Sequence, residues 1–333
     1  MNRHCCQFRP STLGQLLAAT PNEINRCDIA RMNLLCAQSL PRAERLDVEA
    51  SLSQIDEWTE HVREETARFY PSYLRNPNPQ KGSLAVFQLW AVIRSLKETY
   101  ELKHHLLPKK RTGFKGYGTR AVFGSDIGYE DSRPLFIHGL LGPERIGSCS
   151  SLPVLFTAVA RRLGYPVNLA LAVQHMFNRW ESPTETFNMD GSGPDYITRP
   201  PSEDFIDVPR PWTSEQKYCG CYLRSITAQE ALAAFLLMRG ACLQWNGDLR
   251  EAHRMCALAH LLSPKHPAYA AHLEVIEDLT RRKGHLARAA LIDNSCGKMP
   301  SRVPRIKRTF PLWLTRDGFL VNRAADYYVE KLA

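Results

Sequence analysis

Along the first hundred positions apolar residues return at intervals of three and four, the spacing that gathers them on one face of an α-helix. Ile29, Met32, Leu35 and Cys36 predict a short helix. Leu52, Ile55, Trp58, Val62 and Phe69 predict a second, with Asp56, Glu57, Glu60, Arg63 and Glu64 on its outer side and Pro71 as its end. The turn-rich joint Asn76-Pro77-Asn78-Pro79, with Lys81-Gly82, separates it from a third helix. That helix is expected from about Leu84 to Leu102, with Phe87, Trp90, Ile93, Leu96 (or Lys97) and Tyr100 in register and its aromatics as core.

From His104 to Ile146 the periodicity breaks into glycine-rich loop, with at most short strands in RAVFG (120–124) and PLFIHGLL (134–141). A new helix follows, capped by Ser150 or Ser151, with Pro153 in its first turn and Leu155, Phe156, Val159 and Leu163 on its apolar face. Gly164 stops it and Pro166 prevents its resumption. Val167, Leu169, Leu171, Val173, His175 and Phe177 then alternate with more polar neighbours, the period of one strand. A turn at residues 181–184 sends a second strand back over Glu185 to Asp190. Further on, Thr227 and Glu230 form a capping box that opens a helix through Trp245. Asn246-Gly247 turns the chain into another helix, Leu249 to Leu262, closed by Pro264. Gly240, Ala252, Ala259 and Pro264 fall at the offsets of the small residues and closing proline of a tetratricopeptide repeat, and Gly247-x4-Ala252 recurs as Gly284-x4-Ala289. One and a half repeats cannot form a solenoid, so these helices are expected to pack on what precedes them.

The pattern gives an α+β chain in four parts. They are a helical N-terminal region (1–105), a mixed core (106–225), a tetratricopeptide-like helical region (226–296) and a basic, apolar tail (297–333). Composition narrows the class. With 44% hydrophobic and 23% charged residues over 333 positions, the chain buries a real core and is not disordered. No apolar run approaches the ~18 residues of a membrane span, and the N-terminus lacks a signal-peptide pattern, so a cytoplasmic protein without membrane association is expected. Ten cysteines are too sparse for a disulfide scaffold, and Cys27, Cys36, Cys242 and Cys256 read as buried free thiols. Cys219-Gly-Cys221 has no second pair at zinc spacing, and no metal or other cofactor is expected. The net charge of +9 favours anionic partners, and part of it lies between Lys298 and Arg308. No nucleic-acid-binding pattern accompanies the charge, which argues against a nucleic-acid partner, and the basic surface suggests an acidic or protein substrate.

Candidate chemistry centres on Gly147 to Gly193. Cys149 opens a helix, where unpaired N–H groups and the positive end of the dipole suit a cysteine nucleophile and could hold an oxyanion. His175 lies on the apolar face of its strand between Val173 and Phe177. Counting the hairpin from a four-residue turn at 181–184 sets Trp180 against Glu185 and His175 directly opposite Asp190, on one face. A one-residue slip would send Asp190 to the other face. Each residue alone has an ordinary structural reading: a helix-end cysteine, a core histidine, an aspartate before glycine. Together, in the order Cys149, His175, Asp190, they make nucleophile, base and orienting carboxylate.

At these residues the sequence resembles the transglutaminase-like superfamily, the papain-related Cys–His–Asp fold. GSCSSLPVLFTAVARRLGYPV resembles its cysteine segment, QHMFNRW its histidine segment and FNMDG its aspartate segment. The likeness is nearest to bacterial proteins of SirB type, which place helices before the core and tetratricopeptide-type helices after it. It extends over roughly Met32 to Leu279. The resemblance implies a central helix packed on an antiparallel sheet, with Cys149 as nucleophile, His175 as base and Asp190 as orienter. It implies a cysteine enzyme acting on amide bonds of a protein or peptide through a thioester, which passes to water or to an amine. The alternative is a catalytically silent interaction module, since relatives in this branch often lack the cysteine. For a side-chain oxyanion donor the candidates are His138 and Gln174.

Overall fold

The computed structural model describes residues 7–77, 82–105, 129–193, 197–206 and 211–295, from 283 onward by backbone alone. The expected strand at 120–124, the Lys298–Arg308 basic run and the tail from 297 lie outside these residues. Two short helices, α1 (Leu13–Leu17) and α2 (Pro21–Asn25), lead into α3 (Ile29–Ala37), α4 (Val48–Arg75) and α5 (Leu84–Thr99). The mixed region follows as β1 (Lys103–His104), α6 (His138–Leu141), β2 (Ile146–Gly147), α7 (Leu152–Arg162), β3 (Val167–Ala172), β4 (His175–Glu181), β5 (Thr186–Met189) and α8 (Ser214–Tyr218). Three helices close the described chain: α9 (Ala228–Trp245), α10 (Leu249–Leu262) and α11 (Pro267–Ser295). Mixed helix and small sheets give an α+β structure.

Helix α7 organises the packing. It is buried from Leu152 through Ala160, with α3, α4, α5, β3 and β4 all packed against it. A helix apolar on all sides is a core helix rather than an amphipathic surface one. One apolar cluster runs from Leu16 through Phe156 and Trp180 to Phe235 and Tyr269. The C-terminal helices join it tightly. Arg239 of α9 donates from Nη1 to the carbonyls of Cys36 (2.9 Å) and Gln38 (2.8 Å), satisfying orphan acceptors at the end of α3. Gly240 lets α9 and α10 approach, since a Cβ there would stand 2.5 Å from Cys256 Sγ. The capping box forms as the sequence predicts: Thr227 N–H donates to Glu230 (2.8 Å) and Glu230 N–H to Thr227 Oγ1 (3.2 Å).

Three elements differ from the sequence expectation. Helix α4 continues past Pro71 to Arg75, because the carbonyl four residues back belongs to exposed Ala67 and can be solvated instead. Residues 134–141 are turn and short helix, not strand. The single strand expected over 167–177 is two strands of a hairpin, folded at Val173–Gln174, with Ala172 paired to His175. Gln174 takes φ +62°, a left-handed conformation in which non-glycine residues are uncommon. Among the described residues no helix is long and apolar enough to cross a membrane.

Candidate active site

Cys149 sits in a turn between β2 and α7 that three serines hold. The Ser148 carbonyl accepts the amides of Ser151 (3.2 Å) and Leu152 (3.0 Å), so the chain is already coiling before the first α-helical residue. Ser148 Oγ accepts the Ser150 amide (3.1 Å), and Ser151 Oγ accepts the Ser148 amide (3.0 Å) while donating to the Pro134 carbonyl (2.8 Å). Ser151 is the N-cap residue, as the sequence allows, but its side chain makes no cap bond to the helix and serves the preceding turn instead. The Cys149 amide stands outside these turn bonds. Gly147 is required before it, as a Cβ would lie 2.6 Å from Leu140 Cδ2 and 2.8 Å from Ser151 Oγ. The Cys149 side chain is a free thiol and only half-buried, unlike Cys27, Cys36, Cys242 and Cys256 in the core.

His175 opens β4 immediately after the two-residue turn. Its ring is buried beside Phe177 and Phe205, whose own rings stack at 4.2 Å. Nε2 meets Asp190 Oδ2 at 2.6 Å. Asp190 follows β5 and forms a bridge with Thr198, each amide donating to the other's carbonyl at 2.9 Å. Its second oxygen, Oδ1, accepts the Ser192 amide (2.8 Å) and hydroxyl (2.6 Å). Lys97 Nζ from α5 donates to the carbonyls of Gly191 (3.1 Å) and Gly193 (2.6 Å), pinning the same turn from behind. Gly191 leaves no room for a Cβ, which would stand 2.4 Å from Ile93 Cγ2.

The hairpin register is not the one counted from sequence. The turn occupies residues 182–185, with Glu181 opposite Thr186 and Trp180 opposite Phe187, so His175 is not directly across from Asp190. The slip amounts to two positions, which preserves the face because side chains alternate with period two. The pair meets diagonally.

Electrostatics bind the group together. Burial opposes charge on His175, but the Asp190 carboxylate, by charge and hydrogen bond, and then Cys149 outweigh it and push the imidazole up to about 10. Burial alone would raise the Asp190 carboxyl; the His175 charge and hydrogen bond and both Ser192 hydrogen bonds hold it well below the usual carboxylate range. The Cys149 thiol thus acts on the imidazole that Asp190 orients. His104, whose Cα pairs with that of Gly147 between β1 and β2, completes the neighbourhood. Burial and the like charge of His175 push it down to about 4, leaving a neutral ring there at neutral pH.

Cys149 and His175 open on one cleft of about 190 Å³, shared by the β3–β4 hairpin tip, α9 and the start of α11. Gln174 lines it too. His138 does not: its Nε2 meets Ser132 Oγ at 3.2 Å, and it borders a separate hollow near Arg42 and Gln54. His104, Lys97 and Ser192 were not foreseen as parts of the site. Only Ser192 carried a signal, an aspartate followed two positions on by a residue able to close an Asx turn. The arrangement can deprotonate a thiol, hold the resulting imidazolium and return its proton to a leaving group. Comparisons with protein-family models, curated proteins and solved structures find no match for this chain.

Proposed function

We propose that the protein is a transglutaminase-like cysteine enzyme acting on amide bonds, with α7 and β3–β5 as its central helix and sheet and α9–α10 as a tetratricopeptide-type pair. One observation carries the reading: a half-buried cysteine, a buried imidazole and a carboxylate 2.6 Å from that imidazole share one constellation at a cleft. In this reading Cys149 gives its proton to His175, and the thiolate attacks the carbonyl carbon of a peptide or carboxamide. A C–S bond forms and the C–N bond breaks as the imidazolium protonates the departing amine. Asp190 holds the ring in place and stabilises its charged form. In this reading the Cys149 amide supports an oxyanion beside the attacked carbon, and Gln174, which lines the same cleft, is the candidate side-chain donor. Water, losing a proton to His175, then releases the acid and restores the thiol; an amine in its place gives a new amide.

The test is release of a fluorescent amine from N-acyl aminocoumarin amides, with and without added primary amine. The reading predicts turnover by the wild-type chain and loss in both Cys149→Ala and His175→Ala, with amine acceptors separating acyl transfer from hydrolysis. Equal release by wild type and Cys149→Ala would refute it and favour the silent interaction module.

A further inference from the structure

We propose that the cleft beside Cys149 is a subsite for a compact, uncharged, apolar group adjacent to the attacked amide, a proposal that rests on Cys149 being the nucleophile. The chain carries +9 overall, and charge alone points to acidic substrates. The cleft points elsewhere. Among the described residues its lining contains no Asp, Glu, Lys or Arg. Leu171 and Met176 of the hairpin, Leu237 and Met238 of α9 and Tyr269 of α11 all line it. His266, also in the lining, is stacked on Tyr269 at 4.1 Å, and burial pushes it down to about 4, so it is neutral, unlike His175. The one cation in the described lining, the His175 imidazolium, is already paired with Asp190 at 2.6 Å, so a carboxylate entering this cleft would lose its hydration with no unpaired charge to meet it, which is costly. An apolar group would exchange water for side-chain contact.

Size limits the group further. An apolar cavity of about 150 Å³ holds a benzene ring, so about 190 Å³ accommodates one phenyl or branched aliphatic group and little more. The nucleophile and its base stand in the wall of this same cleft, so an occupant would bring its neighbouring carbonyl to the sulfur. The surface charge would then act on approach and the cleft on selection, two separate layers of recognition.

The test compares chloroacetamide with N-benzylchloroacetamide. In each case Cys149 forms a C–S bond, chloride leaves and the thiol proton is lost to the base. Rates at Cys149, read by mass spectrometry and divided by those for glutathione, should favour the benzyl compound by about 10-fold or more, the scale of discrimination by an apolar pocket. N-carboxymethylchloroacetamide should show no such gain. Ala268→Trp, which fills the cleft from α11, should bring the benzyl preference to about 1. Separately, Cys149→Ala should bind N-benzylacetamide in ligand-detected NMR, and the Ala268→Trp double variant should not. A reactive Cys149 with no benzyl preference, or with preference for the carboxymethyl compound, would overturn the subsite and spare the nucleophile. An inert Cys149 in a chain whose Cys149→Ala form still binds N-benzylacetamide would overturn the nucleophile and, with it, the assignment of the cleft to an attacked amide.

Discussion

Gly191→Ala tests how firmly the scaffold holds the Asp190 turn. A Cβ built on Gly191 would lie 2.4 Å from Ile93 Cγ2, 3.0 Å from Phe156 Cε2 and 3.3 Å from Ile93 Cδ1. Ordinary carbon contact is about 3.5–4.0 Å, so the first overlap exceeds about 1 Å. Ile93 and Phe156 are both fully buried and have no solvent to swing into. Overpacking of this kind costs about 1–3 kcal/mol, and the rigidity of both neighbours places this case near 2–3 kcal/mol. If the turn yields instead, the 2.6 Å Asp190–His175 bond and the Lys97 bonds to Gly191 and Gly193 lengthen together. Urea unfolding of the variant should therefore show the loss as a lower midpoint with unchanged slope. Alkylation of Cys149 should slow in parallel. Ile93→Ala removes the offending methyl, so the double variant should recover at least about 1 kcal/mol relative to additivity. A single variant within about 0.5 kcal/mol of wild type, or no coupling to Ile93, would refute the packing argument.

Asp190→Asn should lower stability in a pH-dependent way. A raised His175 contributes stability that is complete below its ordinary 6.5 and fades as pH climbs through the folded value of about 10. A depressed Asp190 contributes stability that is complete above its ordinary 3.8 and is lost in stronger acid. The gap between wild type and variant, followed by denaturant midpoints, should be widest between 3.8 and 6.5 and narrow toward 10; a pH-independent gap would contradict the pairing. Asn178→Ala removes Nδ2 bonds to the Pro153 carbonyl (2.9 Å) and Thr157 Oγ1 (2.8 Å) that tie β4 to α7, and should cost about 2–3 kcal/mol in urea unfolding. Thr227→Ala breaks the capping box of α9 and should cost about 1 kcal/mol by the same measurement, with Cys149 alkylation unchanged.

The sequence carried the long periodic elements well, because burial writes itself at threes and fours: α3, α7, α9 and α10 lie where Met32, Phe156, the Thr227 box and Gly247 set them. Asp190 meets His175 despite a register two positions away from the one counted, since a shift of two leaves every side chain on its face. A turn at Val173–Gln174 was hidden because its positive φ is borne by Gln174 rather than by the Gly or Asn that normally marks such a position. Proline chemistry misjudged α4, where solvent takes over the carbonyl that a buried helix could not spare. His104 left no trace in the pattern at all. It reaches the site through a two-residue parallel pairing, too short to have a period.

The most direct test of the account is the rate of Cys149 alkylation by iodoacetamide as a function of pH in wild type, His175→Ala and Asp190→Asn. The account predicts that at about pH 6, well under the ~8.5 of a free thiol, wild-type Cys149 reacts faster than glutathione. His175→Ala should abolish that advantage and Asp190→Asn should reduce it. Identical profiles for all three chains, matching glutathione, would contradict the account.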